Sequence, residues 1–152
     1  MLEDFERPLN KRGKHDAPLM GRRLKSQHVL PGMILSSPAK RAAATAKIIA
    51  EEIGYPKKRI VYETAIYEAG VETLAELLYG VDNGIQEVML CGHNPGMTML
   101  AEYLCRTLIE NIPTCGIVCI DFAVDTWQDI GGGVGKLVFF DYPKKDSGPE
   151  KQ

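Results

Sequence analysis

The sequence lacks the features that would tie it to a membrane or to a nucleic acid. No apolar run approaches the roughly 20 residues needed to span a bilayer, and the opening Met-Leu-Glu-Asp is the wrong chemistry for a secretory leader. A charge excess is also missing. Eighteen Lys and Arg against twenty Asp and Glu leave the surface near neutral, with no general pull toward nucleic acid or anionic lipid. Paired cysteines are missing too: Cys91, Cys105, Cys115 and Cys119 form no C-x-x-C pair and all fall in apolar runs. That excludes a zinc or disulfide framework and leaves small buried hydrophobes as the expected role. The glycine run Gly131–Gly133 has neither the G-x-G-x-x-G spacing nor a following helix, so it is no nucleotide loop. No ligand cluster suggests a metal and no motif a cofactor. The expected location is the cytoplasm.

What is present fits one domain with a sizeable core, since 152 residues suffice for that. Its centre is Glu87 to Gly96, read E-V-M-L-C-G-H-N-P-G. Val88 to Cys91 is too short for a helix and is expected to be a strand buried on both faces. Gly92 ends it, His93 follows at once, and Met97 to Leu108 reads as a helix. His93 thus stands at the carboxyl end of a strand and just ahead of a helix, where open α/β sheets bind ligands and helix N-termini favour anions. A histidine that only closes the turn is the plainer alternative.

A second unit repeats this arrangement. Met33 to Leu35 is a short strand, Ser36-Ser37-Pro38 ends it, and Ala39 to Ile53 is a helix with Ala42, Ala46, Ile49, Ala50 and Ile53 on one face. Arg41 lies in that helix's first turn, where the dipole disfavours a cation. An anion held between the two would explain its place; a solvated arginine is the alternative. Upstream, Asn10 is a candidate N-cap for a helix over Lys11 to Gln27, in which Pro18 predicts a kink or a later start. His15 and His28, near its ends, are expected to be exposed.

Downstream of the second helix come a weak strand over Arg59 to Tyr62 and a loop over Thr64 to Gly70. A helix follows over Val71 to Tyr79, with Leu74, Leu77 and Leu78 inward. After the central unit, a buried strand is expected over Gly116 to Phe122 and a last strand over Lys136 to Asp141. The alternation predicts an α/β fold, a three-layer α/β/α sandwich whose mostly parallel sheet has an antiparallel edge. Residues 1–143 are expected to form the domain and 144–152 a disordered tail.

Three ordered motifs now stand together: Asp4-Phe5-Glu6-Arg7-Pro8-Leu9-Asn10-Lys11-Arg12-Gly13, Ser36-Ser37-Pro38-Ala39-Lys40-Arg41-Ala42, and Gly92-His93-Asn94-Pro95-Gly96. Over nearly the whole chain they resemble the phosphoglycerate mutase-like histidine phosphatase superfamily, and within it the SixA-type phosphohistidine phosphatases. The resemblance implies a phosphatase acting on phosphohistidine in a protein, or on a small phosphorylated metabolite, through a phosphohistidine intermediate. It implies that Arg41 and His93 serve catalysis, that Arg7 and Ser37 bind phosphate or substrate, and that Glu68 is a candidate general acid. It implies no metal and no cofactor. The expected partners are the phosphorylated substrate and a homodimer mate, with neither nucleic acid nor membrane.

One departure stands out. The family's nucleophile is a histidine in Arg-His-Gly or Arg-His-Ala at the end of the first strand, and no Arg-His pair occurs in this sequence. His15 follows Lys14 and lies beyond the Arg7-Pro8-Leu9 motif, so it does not fill that role. The first strand with its nucleophile is therefore expected to be missing. Losing three or four buried aliphatic side chains at about 1.5–3 kcal/mol each removes about 5–10 kcal/mol, comparable to a domain's total stability of about 5–15 kcal/mol. A natural polypeptide that begins upstream is the favoured explanation. A non-catalytic, phosphate-binding pseudophosphatase whose gap a partner strand closes is the other.

Overall fold

A computed structural model describes residues 3–145. Helix α1, Lys11–Ser26, begins where expected because the Asn10 side chain accepts a hydrogen bond from the Gly13 amide at 2.9 Å. It does not start late at Pro18. The cap, together with burial of Ala17, Met20 and Leu24, outweighs the one backbone donor that proline removes. His15 and His28 are exposed at its ends.

Strand β1, Met33–Ser36, leads into α2, Lys40–Ile53. The five residues read as the inner face of α2 are all buried, and Gly54 closes the helix in the left-handed conformation at φ 84°. The weak strand shrinks to β2, Val61–Tyr62. Helix α3, Val71–Tyr79, buries Leu74, Ala75 and Leu78. Strand β3 is Val88–Cys91, and α4, Gly96–Cys105, is shorter than its apolar pattern predicts. Arg106 turns left-handed at φ 50°. The Glu102 carboxylate then accepts from the amides of Ile109 and Glu110 at 2.8 and 2.9 Å, fixing a loop that leaves Leu108 81% exposed. Ile117–Phe122 (β4) and Gly135–Asp141 (β5) form the antiparallel pair.

The fold is mixed α/β, mostly parallel with an antiparallel edge, but the sheet is divided. β2, β1 and β3 pair in parallel in that order, while β4 and β5 form a separate two-stranded sheet. Both sheets nevertheless lie between the same two apolar cores. On the α1/α2 side, Met89 and Cys91 of β3 and Ile117 and Phe139 of the hairpin pack against Leu24, Ile34 and Ile49. On the α3/α4 side, Val88, Leu90, Ile120 and Phe122 pack against Leu74, Leu78, Leu100 and Leu104. The two sheets thus form the middle of three layers, and among the described residues β3 and β4 share no ladder. This corrects two expectations of full burial: β3 is half-buried throughout, and β4 is half-buried with Asp121 exposed. An edge without a neighbour admits solvent to both of its faces. Of the proposed tail, residues 146–152 lie outside the described region.

Candidate active site

Parallel pairing of β1 with β3 sets Ser36 opposite Cys91, so both chains leave the sheet at the same end. The Ser37 amide donates to the Cys91 carbonyl at 2.9 Å, extending the pairing by one step. His93 emerges beside Ser37, and its Nε2 lies 2.8 Å from Ser37 Oγ. Ser37 is fully buried; its hydroxyl oxygen accepts from the Ala39 amide at 3.1 Å, at the entry to α2, and its O–H can donate to a neutral imidazole. Ser37 therefore joins the strand end, the helix start and the imidazole, and it touches whatever lies in the site only through His93.

The turn after His93 is held as firmly. The Met97 amide donates to the His93 carbonyl at 3.0 Å. Asn94 Oδ1 accepts from the amide and hydroxyl of Thr98 at 3.1 and 2.7 Å, capping α4, while its Nδ2 donates to the Ile112 carbonyl at 2.7 Å. Asn94-Pro95 is a cis peptide. Gly96 lets the loop carrying Tyr67 close over this turn: a Cβ there would lie 2.2 Å from the Ala69 carbonyl oxygen.

Arg41 reaches from the first turn of α2 toward the same place and finds an anion there, a carboxylate of this chain. Its two terminal nitrogens donate to the Asp4 carbonyl at 2.8 Å and to Asp4 Oδ2 at 3.1 Å. The Tyr67 hydroxyl donates to the same Oδ2 at 2.6 Å. The Tyr67 ring meets His93 edge-on at 5.4 Å and Phe5 edge-on at 5.1 Å. A continuous line of contacts thus runs from Ser37 through His93 and Tyr67 to Asp4 and Arg41.

The charge states follow from these neighbours. The Tyr67 and Arg41 hydrogen bonds hold the Asp4 carboxyl below its ordinary value, and the same bond to Asp4 pushes the Tyr67 phenol up to about 12. Partial burial lowers His93, and the nearby Arg41 charge lowers it further, against a smaller upward pull from Asp4. The imidazole is therefore neutral near neutral pH.

Of the residues singled out in the sequence, Arg41, His93 and Ser37 are brought together. Arg7 is exposed and acts on Asp4 as a nearby charge, and no hydrogen bond joins its side chain to the cluster among the described residues. Glu68 is exposed at φ 59°, next to Tyr67, and its charge is felt by that phenol. Tyr67 and Asp4 as anion partners were not legible. Tyr67 shares the Ile66-Tyr67-Glu68-Ala69-Gly70 loop with the carboxylate that drew attention, and nothing in a loop tells which side chain turns inward. Three of the thiols are held in the protonated, less nucleophilic form: burial raises Cys91 to about 12, Cys115 to about 11, and Cys119 above its ordinary value. No group of three or more His, Cys, Asp or Glu residues is placed to hold a metal among the described residues. Beside Arg41 opens a groove of about 410 Å³, lined by Phe5, Glu6, Pro38, Lys40 and Lys47 among others.

A doubly motif-bearing strand-end site in a fold of this kind defines a class, and comparison with known proteins identifies it. The chain belongs to the histidine phosphatase superfamily, branch 1, whose family model matches residues 3–85. Within that superfamily it is similar to SixA proteins of known structure. A SixA of Agrobacterium tumefaciens, assigned as a phosphohistidine phosphatase, superposes with a TM-score of 0.79 at 28% identity, covering 93% of this chain and 87% of that one. A protein histidine phosphatase SixA complexed with tungstate shares the fold at a TM-score of 0.80 and 23% identity, covering 94% and 88%. An uncharacterised protein of Mycobacterium tuberculosis is 28% identical over 153 residues, 94% of this chain and 93% of its own length. A chloroplastic, uncharacterised protein of Arabidopsis thaliana is 28% identical over 136 residues, 84% of this chain and 62% of its own.

Proposed function

We propose that this chain is the phosphate-binding body of a SixA-like phosphohistidine phosphatase acting in the cytoplasm. The observation that carries the reading is the grip of Arg41 on a carboxylate beside a neutral, Ser37-anchored His93. A phosphoryl group asks of a protein mainly positioning and positive charge around its equatorial oxygens. Arg41 supplies a fork for two of those oxygens, a geometry lysine does not imitate. His93 donates to the phosphoryl group and stabilises its developing charge, and Ser37 acts as a positioning residue that fixes the imidazole. Arg7 adds charge at the rim. Glu68 is the candidate acid for a leaving group. An open site at the surface, with Arg41 still 32% exposed, suits a phosphohistidine presented by a protein better than a small metabolite.

In the family reaction the phosphorus–nitrogen bond of the substrate breaks as one to an enzyme histidine forms, and water then cleaves the second. The 152-residue sequence contains no Arg-His pair of the kind the resemblance implies for that histidine. A second reading follows from this fact: a pseudophosphatase that holds phosphorylated ligands through Arg41 and His93 without turnover. An in-frame Arg-His-Gly or Arg-His-Ala encoded upstream of Met1 favours the enzyme, and an intervening stop codon favours the binding module. The 152-residue chain itself is expected to bind phosphate, to lose that binding in Arg41→Ala, and to turn over neither phosphohistidine nor p-nitrophenyl phosphate. Robust turnover abolished by His93→Ala would overturn the assignment of the absent histidine as nucleophile.

A further inference from the structure

We propose that the Asp4 carboxylate is the resident occupant of an anion subsite built by Arg41 and the Tyr67 hydroxyl, and that a phosphoryl oxygen enters by displacing it. The inference rests on the phosphate-binding reading of Arg41 and deepens it in two ways. It adds Tyr67 as a phosphate-binding residue, and it makes Asp4 a competitor of substrate within the same chain.

Two donors from distant parts of the sequence converge on one oxygen, Asp4 Oδ2, at 3.1 Å from Arg41 and 2.6 Å from Tyr67. A tyrosine and an arginine aimed at one point form a receptor for an anionic oxygen. The phenol stays protonated over the physiological range and so remains a donor. The carboxylate that fills the receptor is poorly placed to keep it. Its side chain is 55% exposed, and it sits on the short 3-10 turn Asp4–Glu6, which contributes no buried residue. Exposed pairs of this kind couple weakly. A phosphoryl dianion brings more charge and a second oxygen for the arginine fork, which a single carboxylate oxygen does not match. When it enters, Asp4 loses both partners and the turn is freed from Arg41. Until then, ligand affinity is reduced by the fraction of molecules in which Asp4 is docked. His93 meets the same Tyr67 ring edge-on at 5.4 Å, so the subsite adjoins the imidazole.

The test is titration of inorganic phosphate into the 152-residue chain, followed calorimetrically, with Asp4→Asn, Tyr67→Phe, the double variant and Arg41→Lys. Asp4→Asn removes the competing charge at constant shape and is expected to tighten phosphate binding roughly fivefold or more. Tyr67→Phe is expected to weaken it roughly threefold to tenfold, in the wild-type and in the Asp4→Asn background alike. As a readout that needs no variant, phosphate is expected to speed amide exchange at Arg7, whose N–H donates to the Asp4 carbonyl at 3.1 Å. Binding that depends on Arg41 but is unchanged or weakened by Asp4→Asn, with Arg7 equally or better protected, overturns this inference alone. Absence of phosphate binding in both wild type and Asp4→Asn overturns it together with the phosphate-binding reading.

Discussion

His93 stands between two opposite charges and a desolvating wall, and the balance sets its protonation. Burial is the largest influence and Arg41 the second, both lowering its pKa from 6.5, while Asp4 raises it. Proton-coupled chemical shifts of the imidazole should therefore titrate below 6.5. Asp4→Asn should move the midpoint further down, and Arg41→Gln should move it up. A midpoint above that of an unstructured histidine peptide would refute the neutral imidazole. The sign for stability follows. Between the lowered folded pKa and the ordinary one, the unfolded chain binds more protons, so stability rises with pH across that window and is lost as pH falls through it. A urea-midpoint series between about pH 5 and 8 measures it. Arg41 has its own consequence at this scale. Because its fork contacts two oxygens at once, Arg41→Lys should weaken phosphate binding about tenfold, some 1.4 kcal/mol. Equal affinity for the two side chains would mean that only charge is used. Arg41 stood out in the sequence for a physical reason: a cation against a helix dipole is easier to explain with an anion between the two, a solvated arginine being the alternative. That the anion present is Asp4 was not legible, since the 3-10 turn carrying it has no period to read.

At the scale of elements, the unit around His93 depends on contacts that periodicity does not encode. The strand bounds of β3 and the inner face of α2 follow from apolar spacing, because burial selects those residues one by one. The end of α4 does not, because it is set by the Glu102 carboxylate capturing two loop amides, a contact that outweighs an apolar pattern running on to Leu108. The start of α4 is tied instead by Asn94, Thr98 and the close approach of Gly96 to Ala69. Gly96→Ala forces its methyl group onto a backbone oxygen, with no flexible side chain to move aside. It should cost about 1–3 kcal/mol in chemical denaturation. Because the loop that must yield carries Tyr67, it should also weaken phosphate binding. A loss of stability with phosphate affinity intact would show that the Ala69 loop does not set the Tyr67 position.

For the whole molecule, the decisive feature is the division of the middle layer. Sequence alternation led to the three layers, and the missing Arg-His pair led to the expectation of a missing strand. What alternation cannot show is which strands face each other, because order within a sheet is decided by pairing and not by the pattern along any one strand. The structure sets β3 and β4 over the same two cores without a ladder between them. Each carries a row of backbone donors and acceptors at its open edge, flanked by Val88, Leu90, Ile117 and Val118, which remain half-buried. Edges of this kind pair with other chains unless something covers them. A domain whose middle layer is split also retains less burial than its length allows. The 152-residue polypeptide is therefore expected to unfold in urea with a stability at or below about 5 kcal/mol, the lower end of the domain range. It should sediment with a mass that grows with concentration as free edges find each other, a homodimer being the first such species. Val118→Lys places a charge on the β4 edge and should suppress that association while leaving the proposed phosphate binding at Arg41 and His93 unchanged. A concentration-independent monomer with a stability near 10 kcal/mol would show that the two sheets close on each other in solution.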